Sequence, residues 1–308
     1  MSGNRPTPRP SAAADAHAFR GRIGPDANHG FHPAPHRYHL YLSLSCPDSL
    51  RIALTHRLLR LGDLMPLTAL PPIPAADGGY PELRAAYEAS THRFQGPATA
   101  PLLADRWTGR VVSNHAPDIE CDLARHFRGE SGPDLRPRGS EEAIAAVAAL
   151  CEEGIAQAAQ RAGQAGQGPA EREQALGVLL GALAAVEERL AARPFAAGDV
   201  LTAADVHLWV TLVQLDTVHR WHLGADAVHR IADHPRLWAY ARRLLAEPAF
   251  GECLRLDEIA LRHHHQCRGL EAAGAAVQII DWTRPEPGPG RGTREPATRA
   301  FGPARRGA

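Results

Sequence analysis

Lysine is absent from this chain: all 34 basic residues are arginine, set against 34 aspartates and glutamates for a formal net charge of zero. Arginine in place of every lysine is the trace of a GC-rich genome. The zero balance removes the bulk charge by which a protein holds nucleic acid or an anionic membrane. Aromatic residues are scarce, at 6%, so Leu, Ala and Val must build most of the core. The 44% hydrophobic content of 308 residues is enough for two ordinary domains. No run approaches the roughly 18 apolar residues of a membrane span, and the N-terminus has no apolar stretch of the signal-peptide kind. The five cysteines, Cys46, Cys121, Cys151, Cys253 and Cys267, are odd in number and form no Cys-x-x-Cys pair. That argues against a disulfide framework and against a structural zinc site. A glycine-rich phosphate loop, a Ser-His-Asp order and a His-Glu-x-x-His motif are all missing. The expected compartment is the cytosol.

Both ends are Pro-rich: residues 1–18 read as a disordered arm and 284–308 as a disordered Pro/Gly/Arg tail. Between them the pattern changes once. Arg37 to Leu44 is rich in strand formers. Pro47 then opens a helical stretch over 48–60, with Asp48 in its first turn and Gly62 as a stop. Leu64 to Leu70 is a second strand candidate, and Pro71, Pro72, Pro74, Gly78 and Gly79 mark a loop. Ala100 to Leu103 and Val111 to Ser113 flank a hairpin turn with Gly109, and a helix follows from Asp118 to Phe127.

From Ser140 on, only helical periodicity is present. Ser140 reads as an N-cap ahead of Glu141 and Glu142. Leu176, Leu179, Leu180, Leu183, Val186 and Leu190 form one apolar stripe. Thr202 to Asp205 has the capping-box pattern, and Val206, Trp209, Val210 and Val213 follow as a buried face. The organisation is an α/β half over 19–128 followed by an all-α half over 139–270.

Cys46 is the candidate nucleophile. It stands between a strand and a helix N-terminus, where the helix dipole and unpaired backbone N–H groups favour thiolate over thiol. The motif is Cys46-Pro47-Asp48-Ser49, so the position that would hold a resolving cysteine is a serine. Attack by Cys46 then gives a mixed disulfide that needs an outside thiol to release it. The bland alternative is a small buried residue ending a strand. His263, His264 and His265 with Cys267 invite a metal reading, but consecutive histidines point in different directions and no second ligand pair supports them, so no metal is expected. His219, His222, His229 and His234 read as surface or capping residues.

Several segments together resemble the xi-class glutathione transferases, also called glutathionyl-hydroquinone reductases. They are Phe19 to Ile23, Arg37 to Ser43 with Cys46-Pro47, Ala100 to Leu103, Val112 to Asn114 with Asp118-Ile119, Asp199 to Val206, and Arg230 to Trp238. The resemblance runs from about Phe19 to His265. It implies a thioredoxin-like N-terminal domain followed by a helical glutathione-transferase domain, and typically a homodimer. It further implies a cis bond before Pro101, with Cys46 as nucleophile and Ala100, Pro101, Asn114, His115 and Ala116 around the bound thiol. Tyr80, His263 and His264 then fall at the acceptor site. The chemistry implied is oxidoreductase as well as transferase: Cys46 takes a glutathionyl group from a quinone-like or other electrophilic thiol conjugate, and a second glutathione frees the enzyme.

The chain departs from the family pattern at named positions. Asp48 stands where the family has an aromatic, His115-Ala116 where it has Glu-Ser, and His263 and His264 near its late tyrosine pair. Tyr80 is the nearest match to its loop tryptophan. Two readings are open. One is a cysteine-dependent transferase or reductase using glutathione or another low-molecular-weight thiol. The other is a non-catalytic member that keeps the fold for binding or scaffolding.

Overall fold

The computed structural model describes residues 18–129, 132–267 and 271–284. The two ends read as disordered lie outside the described residues, apart from Ala18 and Arg284.

Strand β1 (Tyr38–Leu42) sets the layering. Its period of two sends Tyr38, Leu40 and Leu42 into one core, all without exposed surface. Tyr41 packs on the opposite side against a smaller cluster, with His39 stacked on it at 4.4 Å between ring centroids. Helix α1 (Pro47–Leu58) crosses over to β2 (Leu67–Ala69), which pairs parallel with β1. On the other side β3 (Leu102–Asp105) pairs antiparallel with β1, and β4 (Arg110–Ser113) with β3, giving the order β2-β1-β3-β4. The hairpin closes as the sequence suggests, with Gly109 at φ +70°. Arg37 braces it: its guanidinium reaches both Asp105 oxygens at 3.1–3.2 Å and lies 4.6 Å over the Trp107 ring.

Helix α1 ends earlier than its glycine suggests. Arg60, at φ +56°, takes the left-handed turn ahead of Gly62. Helix α2 (Arg84–Ser90) occupies part of the stretch read as loop. At 7 residues it is too short to show a period, and it is held by packing: Tyr87 is fully buried, and Ser90 Oγ accepts the Val111 amide at 2.7 Å. Helix α3 (Ala116–His126) starts two residues before Asp118, with Pro117 in its first turn.

The second half is helical throughout the described residues. Helix α4 (Glu141–Ala149) runs through a π-helical stretch (Leu150–Ala156) into α5 (Gln157–Gly163). Ser140 precedes α4 but does not cap it, because its hydroxyl turns back to donate to the Pro137 carbonyl at 2.6 Å. Helix α6 (Pro169–Ala192) buries Leu176, Leu179, Leu183 and Val186 as one stripe. Helix α7 (Ala203–Thr217) is buried nearly all round, as befits the central helix of a bundle. Helices α8 (Ala225–Ala232), α9 (Pro235–Leu245), α10 (Pro248–Cys253) and α11 (Leu256–Cys267) complete it. Among the described residues no helix is long and apolar enough to cross a membrane.

The capping box at α7 forms and does more than cap. Asp205, fully buried, accepts the Thr202 amide at 2.8 Å, the Ala196 amide at 2.8 Å and the Tyr240 hydroxyl at 2.7 Å. One carboxyl therefore joins the loop after α6, the start of α7 and the middle of α9. Asp205→Ala strands these donors in a dry interior, and the expected loss is about 3 kcal/mol or more, read as a lowered urea midpoint. Loss below about 1 kcal/mol would show that the donors find other partners.

The N-terminal arm is tied to α3 by carboxylates. Arg20 Nε contacts Asp118 at 2.5 Å, Arg22 contacts Asp122 at 2.6 Å and Asp118 at 3.2 Å, and the Ile23 amide donates to Asp122 at 2.7 Å. Gly21 is required here: a Cβ would stand 2.5 Å from the Val112 carbonyl oxygen. Burial works to raise the Asp118 pKa, but the Arg20 hydrogen bond and the charges of His115, Arg22 and Arg20 outweigh it, so the net shift is downward. A depressed carboxyl stabilises the fold above its unfolded value and loses that contribution as pH falls through the folded one. Amide protection over 19–23 is therefore expected to hold down to about pH 4 and to fade below it. In Asp118→Asn the part of that loss due to Asp118 should disappear, leaving the contribution of the Asp122 contacts, as measured by NMR hydrogen exchange.

Candidate active site

Cys46 occupies the N-cap position of α1, half-buried, in extended backbone. The turn that delivers it is braced by two hydroxyls. Ser43 Oγ and Ser45 Oγ lie 3.0 Å apart and donate to the carbonyls of Pro71 and Pro72, each at 2.9 Å. The other cysteines offer poorer nucleophiles in three cases: burial pushes the Cys151 thiol up to about 12 and the Cys253 thiol up to about 11, and burial with the Glu271 charge raises that of Cys267. Ser49, three residues on, is fully buried with a hydroxyl that finds no partner.

Two clefts open beside this helix end. The smaller, about 510 Å³, is lined by Ala100, Pro101, Asn114, His115 and Ala116, with Asp48 and Arg51 on the α1 side and Cys151 and Glu152 on the π-helical stretch. All five residues named as thiol contacts thus share one cleft, and the Ala100–Pro101 peptide is cis. Asn114 is largely occupied within the protein: its Oδ1 accepts the Phe19 amide at 2.8 Å and its Nδ2 donates to the Tyr87 hydroxyl at 3.1 Å. His115 and Ala116 form the N-terminus of α3, whose amides and dipole favour an anion there. His115 Nδ1 sits 3.1 Å from an Asp118 oxygen without the alignment of a hydrogen bond.

The larger cleft, about 970 Å³, runs from Pro47, Asp48 and Arg51 to His219, His222, His263 and Cys267. Asp48, Arg51 and Glu152 border both clefts. Asp48 is paired with Arg51 at 2.8 Å. Burial is the largest influence on its carboxyl and raises its pKa; Arg51 pulls the other way, and Glu120 and Glu152 add to the rise.

The acceptor candidates divide. His263 lines the larger cleft, is 3% exposed, and has its pKa pushed down to about 4 by burial and by His222 and His264, so its ring is neutral at physiological pH. His264 stands beside Trp221 at 5.4 Å, half-exposed. Tyr80 does not line that cleft: its ring is buried in the smaller cluster and borders a separate hollow, while its hydroxyl accepts from Arg262, a residue of the larger cleft's lining, at 3.4 Å.

Two features escape a reading along the chain. The π-helical stretch that walls both clefts has no distinctive signature; its approach to α6 rests on Gly154, where a Cβ would stand 2.9 Å from Ala182 Cβ. His222, read as a surface residue, lies with its Nε2 2.9 Å from His263 Nε2 and 3.2 Å from Cys267 Sγ. The pairing spans 41 residues, and no local pattern announces it.

The family model for the glutathione S-transferase C-terminal domain matches residues 169–243. The glutathionyl-hydroquinone reductase PcpF of Sphingobium chlorophenolicum is 30% identical over 284 residues, covering 87% of this chain and 89% of that one. The glutathionyl-hydroquinone reductase YqjG of Escherichia coli is 26% identical over 291 residues, covering 87% and 88%. Among solved structures, the xi-class glutathione transferase of Natrialba magadii superposes with a TM-score of 0.75 at 27% identity, covering 88% of each chain. With the cis-proline strand, the cysteine-led helix and the helical second half all in place, the chain belongs to the xi class of glutathione transferases, the family of the glutathionyl-hydroquinone reductases.

Proposed function

We propose that the protein is a cysteine-dependent glutathione transferase and reductase that removes the thiol from glutathionyl-hydroquinones or related electrophile conjugates, through a mixed disulfide on Cys46. The observation that carries this reading is the setting of Cys46: it is the N-cap of a helix whose next residues, Pro47 and Asp48, border the larger cleft, Asp48 also bordering the smaller cleft beside the cis-proline segment. The Cys46 thiolate attacks the sulfur of the conjugate, forming the S–S bond as the carbon–sulfur bond breaks. The bonding pair stays with the aryl carbon, which takes up a proton to give the hydroquinone. A second glutathione thiolate attacks the mixed disulfide, leaves as glutathione disulfide and restores the Cys46 thiolate. Ser49 offers no sulfur, so release is intermolecular. A cytosolic homodimer accords with this role.

The thiol's γ-glutamyl end is assigned to the N-terminus of α3, where His115 and Ala116 provide amides but neither carboxylate nor hydroxyl. That favours weak glutathione binding, or a thiol without an α-amino acid terminus. Mass spectrometry of the intact protein after mixing with a glutathionyl-hydroquinone should show a glutathione adduct on Cys46, discharged by added glutathione. Cys46→Ser should show neither adduct nor turnover. Turnover persisting in Cys46→Ser would overturn the reading in favour of a fold kept for binding, and an adduct of another mass would name a different thiol.

The double substitution His115→Glu, Ala116→Ser tests the thiol's identity. It restores one charge-assisted contact to the thiol's ammonium group and a hydroxyl to its carboxylate. If glutathione is the partner, its affinity should rise by about one to two decades, measured by calorimetry in the Cys46→Ser protein.

A further inference from the structure

Helix α11 carries His263 and Cys267 at positions i and i+4, which share one face of a helix. Opposite them the 3-10 turn His219–His222 presents His222. The ligand atoms of these three residues all lie within 4.8 Å of one another. One proton cannot satisfy the group. His222 Nε2 holds either a hydrogen or a lone pair, yet two neighbours meet it, His263 Nε2 at 2.9 Å and Cys267 Sγ at 3.2 Å.

The turn that presents His222 is fixed by backbone. Ala272 N donates to Trp221 O at 2.7 Å, and Gly274 N donates to Leu223 O at 2.9 Å. A Cβ on Gly274 would stand 2.4 Å from that Leu223 oxygen, and one on Gly163 would stand 2.7 Å from His222 Cβ. The imidazole is thus held against α11 by close approaches that only glycine permits.

We propose that His222, His263 and Cys267 bind a zinc-class divalent ion on the wall of the larger cleft, three protein ligands with a fourth position open to the cleft. Two imidazoles and a thiolate suit zinc, which takes such three-ligand sites tetrahedrally. With Zn–N near 2.0–2.1 Å and Zn–S near 2.3 Å, tetrahedral geometry needs N···N of about 3.3 Å and N···S of about 3.6 Å. The two His222 contacts then have to open by about 0.4 Å, and the His263–Cys267 pair, within 4.8 Å, has to settle near 3.6 Å, both side-chain adjustments. On binding, the Cys267 thiol gives its proton to solvent and the ion takes the three lone pairs. The ion would stand in the cleft assigned above to the acceptor, so loading links metal to acceptor access.

The test uses the full-length protein carrying Cys46→Ser, so that the proposed thiol chemistry, sound or not, does not enter the readout. Cobalt(II) titrated into this metal-free protein should bind one ion per chain and give intense tetrahedral ligand-field bands with a thiolate-to-cobalt charge-transfer band, all displaced by zinc. Adding Cys267→Ser should abolish the charge-transfer band. Adding His222→Ala should weaken cobalt binding by about tenfold or more. Zinc should also shield Cys267, but not Cys121, from alkylation by iodoacetamide, read peptide by peptide in the otherwise unsubstituted site. A titration without the charge-transfer band, undiminished binding in both variants, or equal alkylation of Cys267 with and without zinc would each overturn the proposal.

Discussion

The Ser43–Ser45 hydroxyl pair holds the turn on which the site depends. Ser43 and Ser45 anchor the strand-to-helix turn to the Pro71 and Pro72 carbonyls, and Arg262 from α11 donates to the same Pro72 oxygen at 3.1 Å. The turn bearing Cys46, the proline loop and the last long helix therefore form one hydrogen-bonded unit. Along its length α1 buries Leu50, Ile52, Ala53 and Leu54, and at its far end His56 meets the Met65 carbonyl at 2.8 Å. The exposed Arg57–Glu252 pair adds little to this, because both side chains remain more than half in water. Packing and buried hydrogen bonds, not surface charge, hold the turn that bears the cysteine.

That placement also decides how Asp48 acts. A carboxylate in the first turn supports a helix through its dipole but opposes a thiolate two residues away. Arg51, one turn along and largely buried, contacts it at 2.8 Å and offsets that field locally. The pair lies on the wall common to both clefts, so it adds a polar, nearly charge-balanced edge where an aromatic would have added an apolar one. An acceptor crossing this edge meets hydrogen-bonding groups and not a ring face to stack on.

The architecture was legible where a local rule applied. Strand β1 alternates, Pro47 opens α1, Gly109 turns the hairpin, and Thr202 with Asp205 caps α7; each rests on residues within a few positions of one another. The misses have the opposite character. Helix α2 is too short for a period and exists by packing on β4. Ser140 has the right identity for a cap, but the nearby Pro137 carbonyl takes its hydroxyl. Tyr80 belongs to the loop by position, yet its ring packs into the smaller core and only its hydroxyl reaches Arg262 at the larger cleft. His222 joins His263 only through the fold, and Asn114 proves to be tied to Phe19 and Tyr87. Residues whose role depends on long-range contact carry no signal that a single chain displays.

Imidazoles near the family's tyrosine positions change the chemistry that the larger cleft can offer. A phenol donates or accepts one hydrogen bond and cannot serve as a strong ligand at neutral pH, since it ionises near pH 10. A neutral imidazole keeps a free lone pair, and His263 stays neutral because burial holds its pKa at about 4. Trp221 flanks both rings, at 5.7 Å from His263 and 5.4 Å from His264. Charged side chains line both ends of the larger cleft: Asp48, Arg51 and Glu152 on the side of α1, and Glu271 near Cys267, with Arg262 on α11.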